Sequence, residues 1–351
     1  MPVRNEQAHL VAAVESVMSQ TYPGKLEIIL AVGPSVDQTD RVAKELAAKH
    51  PNIKVIENPR GLTTVGLNLA IAQSSSDVII RVDAHSELSP GYISRGVALL
   101  EETSAVLVGG VMSAVGKTPL QKAVAFGYGS RFGLGGGSYH VGGKAGEAES
   151  AYLGIFDAKA LKAVGGYDEN IIRGEDWDLS QRLKAAGGKV WFSPELVVKY
   201  WPRSNIKALA WQFYSTGVWR GELTRRAPAK ASIRYFIPPL ALLVLVDLFI
   251  LAIVGVLPQQ ALIIPVALYL LVLSFASGTA KSLDVADRLA VFVALPVMHL
   301  SWASGFWIGL AFGARKIVDA GDKSEVFTNS NSRCASKAPA RLVPWLCLSN
   351  L

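Results

Sequence analysis

Hydrophobic positions change rhythm along this chain. Through residues 1–230 they come in short runs between amphipathic stretches, and beyond Tyr235 they merge into long runs with almost no polar interruption. In the first part, the spacing predicts helices over Glu6 to Ser19, Asp37 to His50, Thr63 to Ala72 and Pro90 to Thr103, the last with Pro90 in its first turn. Between them, apolar and β-branched runs of strand length predict strands over Leu26 to Val32, Ile53 to Glu57, Asp77 to Asp83 and Ala105 to Ala114. Helix and strand alternating in this way predict an α/β fold, with a mainly parallel sheet flanked by helices. Such sheets bind ligands at the carboxyl ends of their strands, at the switch point of strand order.

The last third reads differently. Tyr235 to Leu257 and Ala261 to Ala276 contain one charged side chain, Asp247, and Leu289 to Ala314 contains only His299 and is interrupted by Pro296. A spanning helix needs about 20 apolar residues, so the first run qualifies, the second needs its flanks (260–277), and the third is long enough. The organisation predicted is a globular domain over 1–220, a basic segment over 221–234, a transmembrane helical region over 235–314, and a disordered tail over 315–351 rich in Ser, Asn, Lys and Pro.

Charge orients these parts. Of the net +7, Arg220, Arg225, Arg226, Lys230 and Arg234 crowd the entrance to the first apolar run. By the positive-inside rule the globular domain lies in the cytoplasm, on a multi-pass protein of the inner membrane, with Pro258-Gln259-Gln260 as an outer turn and the loop holding Lys281 and Arg288 inside. Arg315 and Lys316 conflict with three full spans, so either the third run is re-entrant or interfacial, or the rule is weakly violated. The basic stripe predicts attraction to anionic lipid headgroups. No helix-turn-helix, zinc-finger or RNA-recognition pattern accompanies the charge, which argues against a nucleic-acid partner. Residues 1–6 contain no signal-peptide pattern. Cys334 and Cys347 make neither a disulfide framework nor a metal site.

Candidate chemistry concentrates at two places. Asp83 and His85 close the run Asp77-Val78-Ile79-Ile80-Arg81-Val82-Asp83-Ala84-His85. Mg²⁺ and Mn²⁺ take carboxylate and phosphate oxygens, and Mn²⁺ also accepts imidazole, so the pair suits a divalent cation held against a diphosphate; a turn cap is the plainer use of Asp83. Glu175 and Asp176 open a helix that Gly187 ends, where carboxylates serve either as dipole-complementing caps or as a proton acceptor. Asp178 and Arg182, four apart, pair on that helix. No Gly-x-Gly-x-x-Gly follows an early strand, and Gly133-Leu134-Gly135-Gly136-Gly137 comes too late, so dinucleotide chemistry is disfavoured. Phe132 to Glu147 is a Gly-rich lid or linker carrying Tyr139, His140 and Lys144.

Pro2-Val3-Arg4-Asn5-Glu6, Asp37-Gln38-Thr39, Gly61 with Gly66-Leu67-Asn68, Asp83-Ala84-His85 and Gly174-Glu175-Asp176-Trp177-Asp178-Leu179 fall in the order seen in family 2 glycosyltransferases. Over roughly residues 1–220 the chain resembles the succinoglycan-type exopolysaccharide subgroup. The resemblance implies a GT-A fold and sugar transfer, with inversion, from a nucleotide diphosphate donor to an acceptor that the membrane region suggests is a lipid-linked saccharide. It implies that Asp176 is the general base, with Glu175 positioning acceptor or donor. Asp83 would bind the metal, Mn²⁺ or Mg²⁺, while His85 occupies the second acidic position of the usual Asp-x-Asp. Pro2, Arg4, Glu6, Asp37, Asn68 and Asp83 would meet the donor nucleotide, although Asp37 equally caps the helix after it. The hydrophobic strand expected before Pro2 is missing, so either Met1 is a misassigned start or the sheet lacks a central strand.

Trp177, Gln212 and Trp219 are acceptor candidates, with a membrane-interface belt as the alternative for Trp219. Val218 stands where the processive Gln-x-x-Arg-Trp pattern has Arg, which predicts single additions rather than an extruding channel. The rival readings are a nucleotidyltransferase and an inactive family member serving as a membrane scaffold.

Overall fold

The Pro2-to-Glu57 segment builds a parallel sheet, as its alternation predicts. In the computed structural model, which describes residues 1–134 and 137–314, β1 (Pro2–Val3), β2 (Ile28–Val32) and β3 (Ile53–Glu57) lie in that order and all parallel. Parallel neighbours need crossovers, supplied here by α1 (Leu10–Met18) and α2 (Thr39–Lys49), with α3 (Thr63–Gln73) following β3. Every residue of β2 is buried, which is why it reads as unbroken Ile-Ile-Leu-Ala-Val. Among the described residues no strand precedes Pro2; Pro2 and Val3 themselves form the first, two-residue strand. Ala31 donates to the Met1 carbonyl (2.9 Å) and Gly33 to that of Val3 (2.8 Å), so the ladder runs through β1.

A second, mixed sheet holds the rest of the domain. Its strands are β4 (Val78–Ile80), β5 (Ser86–Leu88), β6 (Leu107–Ala114), β7 (Gly146–Glu147), β8 (Tyr152–Asp157) and β9 (Val190–Tyr200). The order is β4-β8-β6-β9-β5, with β7 on β9; only β6 and β9 pair in parallel. Parallel character is therefore concentrated in the amino-terminal half. Between these strands lie α4 (Tyr92–Thr103), α5 (Pro119–Tyr128), α6 (Ser138–Val141), α7 (Ala158–Ala163) and α8 (Glu175–Ala185), and α9 (Ile206–Arg226) follows β9. β4 is shorter than its sequence run, because the chain turns back after Val82, where Ser86 N–H donates to the Asp83 carbonyl (2.9 Å).

Among the described residues three helices are long and apolar enough to cross a membrane: α10 (Ile237–Ile253), extended by a 3₁₀ turn from Ile233, α11 (Ile263–Thr279), extended from Gln259, and α12 (Val285–Phe312). They differ in how much protein covers them: 11%, 17% and 39% of their most apolar windows are buried. Helix α12 starts before its apolar run because Asp287, nearly buried, pairs with Lys122 of α5 (2.8 Å), while Arg288 Nε donates to the carbonyls of Ala280 and Leu283. It then runs on through Pro296 and lies along α9. Glycines set that contact. Gly217 and Gly221 on α9 face Gly305 and Gly309 on α12, and a Cβ on Gly309 would sit 1.8 Å from the Val218 carbonyl oxygen. Small residues at i, i+4 on both helices let the backbones touch. The predicted tail, with Arg315, Lys316, Cys334 and Cys347, lies outside the described residues.

Candidate active site

Beyond β4 the chain carries a cation where its pattern calls for an apolar residue. The Arg81 side chain is 6% exposed, and a guanidinium so placed must be matched by carboxylates. Three meet it: Nε binds Asp83 Oδ1 at 2.9 Å, Nη1 binds Asp176 Oδ1 at 2.6 Å, and Nη2 binds Glu175 Oε1 at 3.1 Å. The two candidate motifs, ninety residues apart in sequence, are thus joined by a residue that sequence reasoning had left unassigned. A lone charge inside an otherwise strand-like apolar run was the available signal.

Glu175 and Asp176 reach Arg81 because α8 starts abruptly. Gly174, its N-cap, has φ +82°, a left-handed conformation that favours glycine. The carboxylates in the first turn complement the helix dipole. Burial pushes the Asp176 pKa up to about 7, against the opposing pull of Arg81 and assisted by Glu175 and Asp83. Burial also disfavours ionised Asp83, but Arg81 and His85 outweigh it and lower its pKa. Asp176 Oδ2 makes no hydrogen bond among the described residues, so it is available as an acceptor of a proton.

His85 follows Asp83 on the turn and is held by the first segment: its Nδ1 lies 2.9 Å from Glu6 Oε1. Burial lowers the imidazole pKa, yet the Glu6 hydrogen bond and the charges of Asp83 and Glu6 more than offset it, and the net direction is up. Pro2, Arg4, Glu6, Asp83, His85, Glu175 and Asp176 all line one cleft of about 450 Å³. Arg173 and Arg203 line it too, and Arg173 Nε is buried without a hydrogen-bond partner among the described residues. Neither was singled out from sequence.

Two nucleotide candidates lie elsewhere. Asp37 Oδ1 accepts from the Thr39 N–H (3.0 Å) and hydroxyl, and Oδ2 from Gln7 N–H (3.2 Å), so it builds its own turn and ties it to Gln7, outside the lining of the cleft. Asn68 donates to the Tyr167 carbonyl (2.8 Å) and accepts from Tyr167 N–H (2.9 Å), tying α3 to the loop before α8. In both cases local backbone donors and acceptors satisfy a side chain whose sequence position suggested a ligand.

The acceptor candidates also divide. Gln212 lines the cleft and donates to Tyr200 Oη (2.9 Å). Trp219 is 1% exposed, so it reaches neither a sugar nor a membrane interface. Trp177 is 7% exposed; its indole N–H donates to Glu149 Oε1 (2.7 Å), and the Arg220 guanidinium lies 5.2 Å from its ring. The basic stripe is partly neutralised by the protein itself. Glu222, buried, binds Arg225 (2.7 Å) and Arg226 (2.6 Å), and Glu149 binds Arg234 (2.8 Å).

Known proteins resemble this chain in sequence and in fold. Residues 1–138 match glycosyl transferase family 2. The succinoglycan biosynthesis protein ExoA of Rhizobium meliloti (strain 1021) is 31% identical over 320 residues, which cover 90% of this chain and 96% of that protein. A Methanococcus voltae protein, dolichyl N-acetyl-alpha-D-glucosaminyl phosphate 3-beta-D-2,3-diacetamido-2,3-dideoxy-beta-D-glucuronosyltransferase, is 24% identical over 326 residues, 89% of this chain and 96% of its own. Among solved structures, the mannosyltransferase PcManGT of Pyrobaculum calidifontis, in complex with GDP-Man and Mn²⁺, has the same fold at a TM-score of 0.59 and 18% identity, over 88% of this chain and 85% of that one. By sequence along nearly its whole length, with the GT-A architecture to match, the chain belongs to the family 2 glycosyltransferases.

Proposed function

We propose that this membrane glycosyltransferase of polysaccharide synthesis inverts the anomeric carbon and is metal-dependent, moving a sugar from a nucleoside diphosphate to a lipid-linked glycan at the cytoplasmic face of the membrane. The observation that carries the proposal is the meeting of Asp83, Glu175 and Asp176 on Arg81 in one cleft. With all four ionised the cluster is net −2, a charge suited to one divalent cation. Among the described residues no three His, Cys, Asp or Glu side chains gather to hold an ion. Two ligands from the protein are enough where substrate phosphate and water complete the sphere. Asp83 would offer a carboxylate oxygen and His85 its Nε2, since Nδ1 faces Glu6; a carboxylate behind a ligating imidazole fixes its tautomer. Bound there, the cation would supply charge stabilisation to the departing diphosphate.

The chain's own residues account for the remaining steps. Asp176 accepts the proton of the attacking hydroxyl as the bond from the anomeric carbon to the diphosphate breaks on the opposite face. Glu175 and Arg81 keep that carboxylate oriented, and Arg173 and Arg203 bring positive charge to the leaving group. A lipid-linked acceptor is supported by the apolar helices beside the cleft and by the dolichyl phosphate in the name of the Methanococcus voltae relative.

The burial of α12 supports a hairpin of α10 and α11 in the bilayer, with α12 docked on α9 and α5. Leu289, Val293 and Leu300, exposed on α12, would face lipid from the interface. Arg220 to Arg234, Lys281 and Arg288 then share the cytoplasmic side, in accord with the charge rule. Membranes holding the protein, incubated with a panel of labelled nucleotide sugars and then extracted, test the reaction. Label entering the lipid fraction with wild type and not with Asp176→Asn is the expected result; label that never enters lipid would sink the acceptor class.

A further inference from the structure

A second cavity, of about 150 Å³, opens from the membrane side of the cleft. Leu134, His140, Phe213 and Thr216 line both spaces, so the two adjoin. Its far wall is membrane-region structure: Pro238 of α10, and Met298, His299 and Trp302 of α12. Its remaining wall is cationic, from Arg220 and Arg234.

These two arginines are held differently. Arg234 is paired with Glu149, whose carboxylate also accepts from Tyr235 Oη (2.9 Å) and from the Trp177 indole. Arg220 makes no ion pair among the described residues. Its guanidinium lies between the rings of Tyr235 (4.4 Å) and Trp177 (5.2 Å), and its Nη1 is buried with no hydrogen-bond partner. A buried donor on a cation left unpaired is costly, and the cost is recovered when an anion arrives. His140 does not add charge, since burial, with Arg234 nearby, pushes its pKa down to about 3. Arg220, Arg234 and Glu149 therefore sum to +1, facing a space between the reaction cleft and apolar helices.

We infer that this chamber binds the phosphate of a polyprenyl-linked acceptor, with Arg220 as its principal contact and Arg234 as the second. The inference rests on the reading of a lipid-linked acceptor above. Stacking of Arg220 on Trp177, the neighbour of Asp176, sets the phosphate site at a fixed offset from the base, so the acceptor's sugar is delivered to the cleft while its lipid leaves between α10 and α12.

The test uses the full chain in phosphatidylcholine vesicles and a fluorescent polyprenyl monophosphate, with binding measured in the absence of any sugar donor. Arg220→Gln and Arg234→Gln should each weaken binding about tenfold, as expected for loss of a charge-assisted contact. Arg220→Lys should recover part of the loss, and Lys207→Gln, an exposed cation on the same helix, should bind as wild type. Affinity for GDP or UDP with Mn²⁺ should change less than twofold in the arginine variants. Thermal unfolding checks their folding, and Arg234→Gln carries the test if Arg220→Gln is unfolded.

Probe affinity unchanged in both Gln variants overturns the proposal, as does displacement of the probe by phosphatidylglycerol at equal concentration, which would mark a general headgroup site. Nucleotide affinity falling in step with probe affinity also overturns it. Intact, arginine-dependent probe binding in a protein that turns over no nucleotide sugar would support the chamber and remove the catalytic reading, so the two failures are distinguishable.

Discussion

Arg81 and Arg220 are two arginines drawn inside one protein and treated in opposite ways. Arg81 is matched by three carboxylates of its own chain, and the surplus is negative. Arg220 is sandwiched by aromatic rings and left with a buried nitrogen unpaired. The first arrangement suits cationic and proton chemistry, and the second is incomplete without an anion. The same guanidinium group thus marks the two ends of one path, and its partners, not its identity, say which end is which.

Asp176→Asn breaks the Arg81 end most sharply. It should lower kcat about 10²–10⁴-fold with little change in donor KM, since a general base typically contributes that much. A loss below tenfold in a membrane transfer assay would move the base elsewhere. Arg81→Leu tests the architecture: removing one partner of a buried ion cluster costs about 3–5 kcal/mol, because the carboxylates stay buried and unpaired. Denaturant unfolding reads this directly, and a change under 1 kcal/mol would show that the carboxylates relax into water.

Gly309→Val addresses the other end. Its side chain would strike the Val218 carbonyl, part α12 from α9, and cost about 1–3 kcal/mol by overpacking. Because α12 walls the Arg220 chamber, acceptor KM should rise while the donor KM holds; equal rises in both would erase the distinction between the ends. A pH profile separates them again. Burial raises the Asp176 pKa to about 7, and the ionised form is the base, so kcat/KM should climb with pH through 7 and level off above, about tenfold lower at pH 6 than at pH 8. A flat profile would remove Asp176 as the titrating base. Smallest is Asp37→Ala, which should cost about 1 kcal/mol through its lost hydrogen bonds to Thr39 and Gln7 and leave donor KM unchanged.

Much of this was readable from the chain. Strands β2, β3 and β6 and helices α2, α3 and α4 fall within a few residues of their predicted spans, because their apolar runs and spacing match what each element buries. Asp83 and Asp176 stood out by motif order. Asp37 and Asn68 were ambiguous in the sequence, since a short polar side chain beside a turn can serve backbone as well as ligand, and the structure shows their backbone partners. Trp219 misled because an aromatic ahead of a membrane segment looks interfacial until a second helix covers it.

By itself, then, the sequence determined the α/β domain, the apolar helices that follow it, and the carboxylates that ought to do chemistry, since periodicity and residue type are local properties. The tertiary structure decided what they meet. Joining Asp83 to Glu175 and Asp176 needs the sheet to bring Arg81 to α8, and distinguishing α12 from α10 and α11 needs the glycine seam with α9. Pairing across ninety residues is a long-range contact, and no local pattern in the chain encodes it.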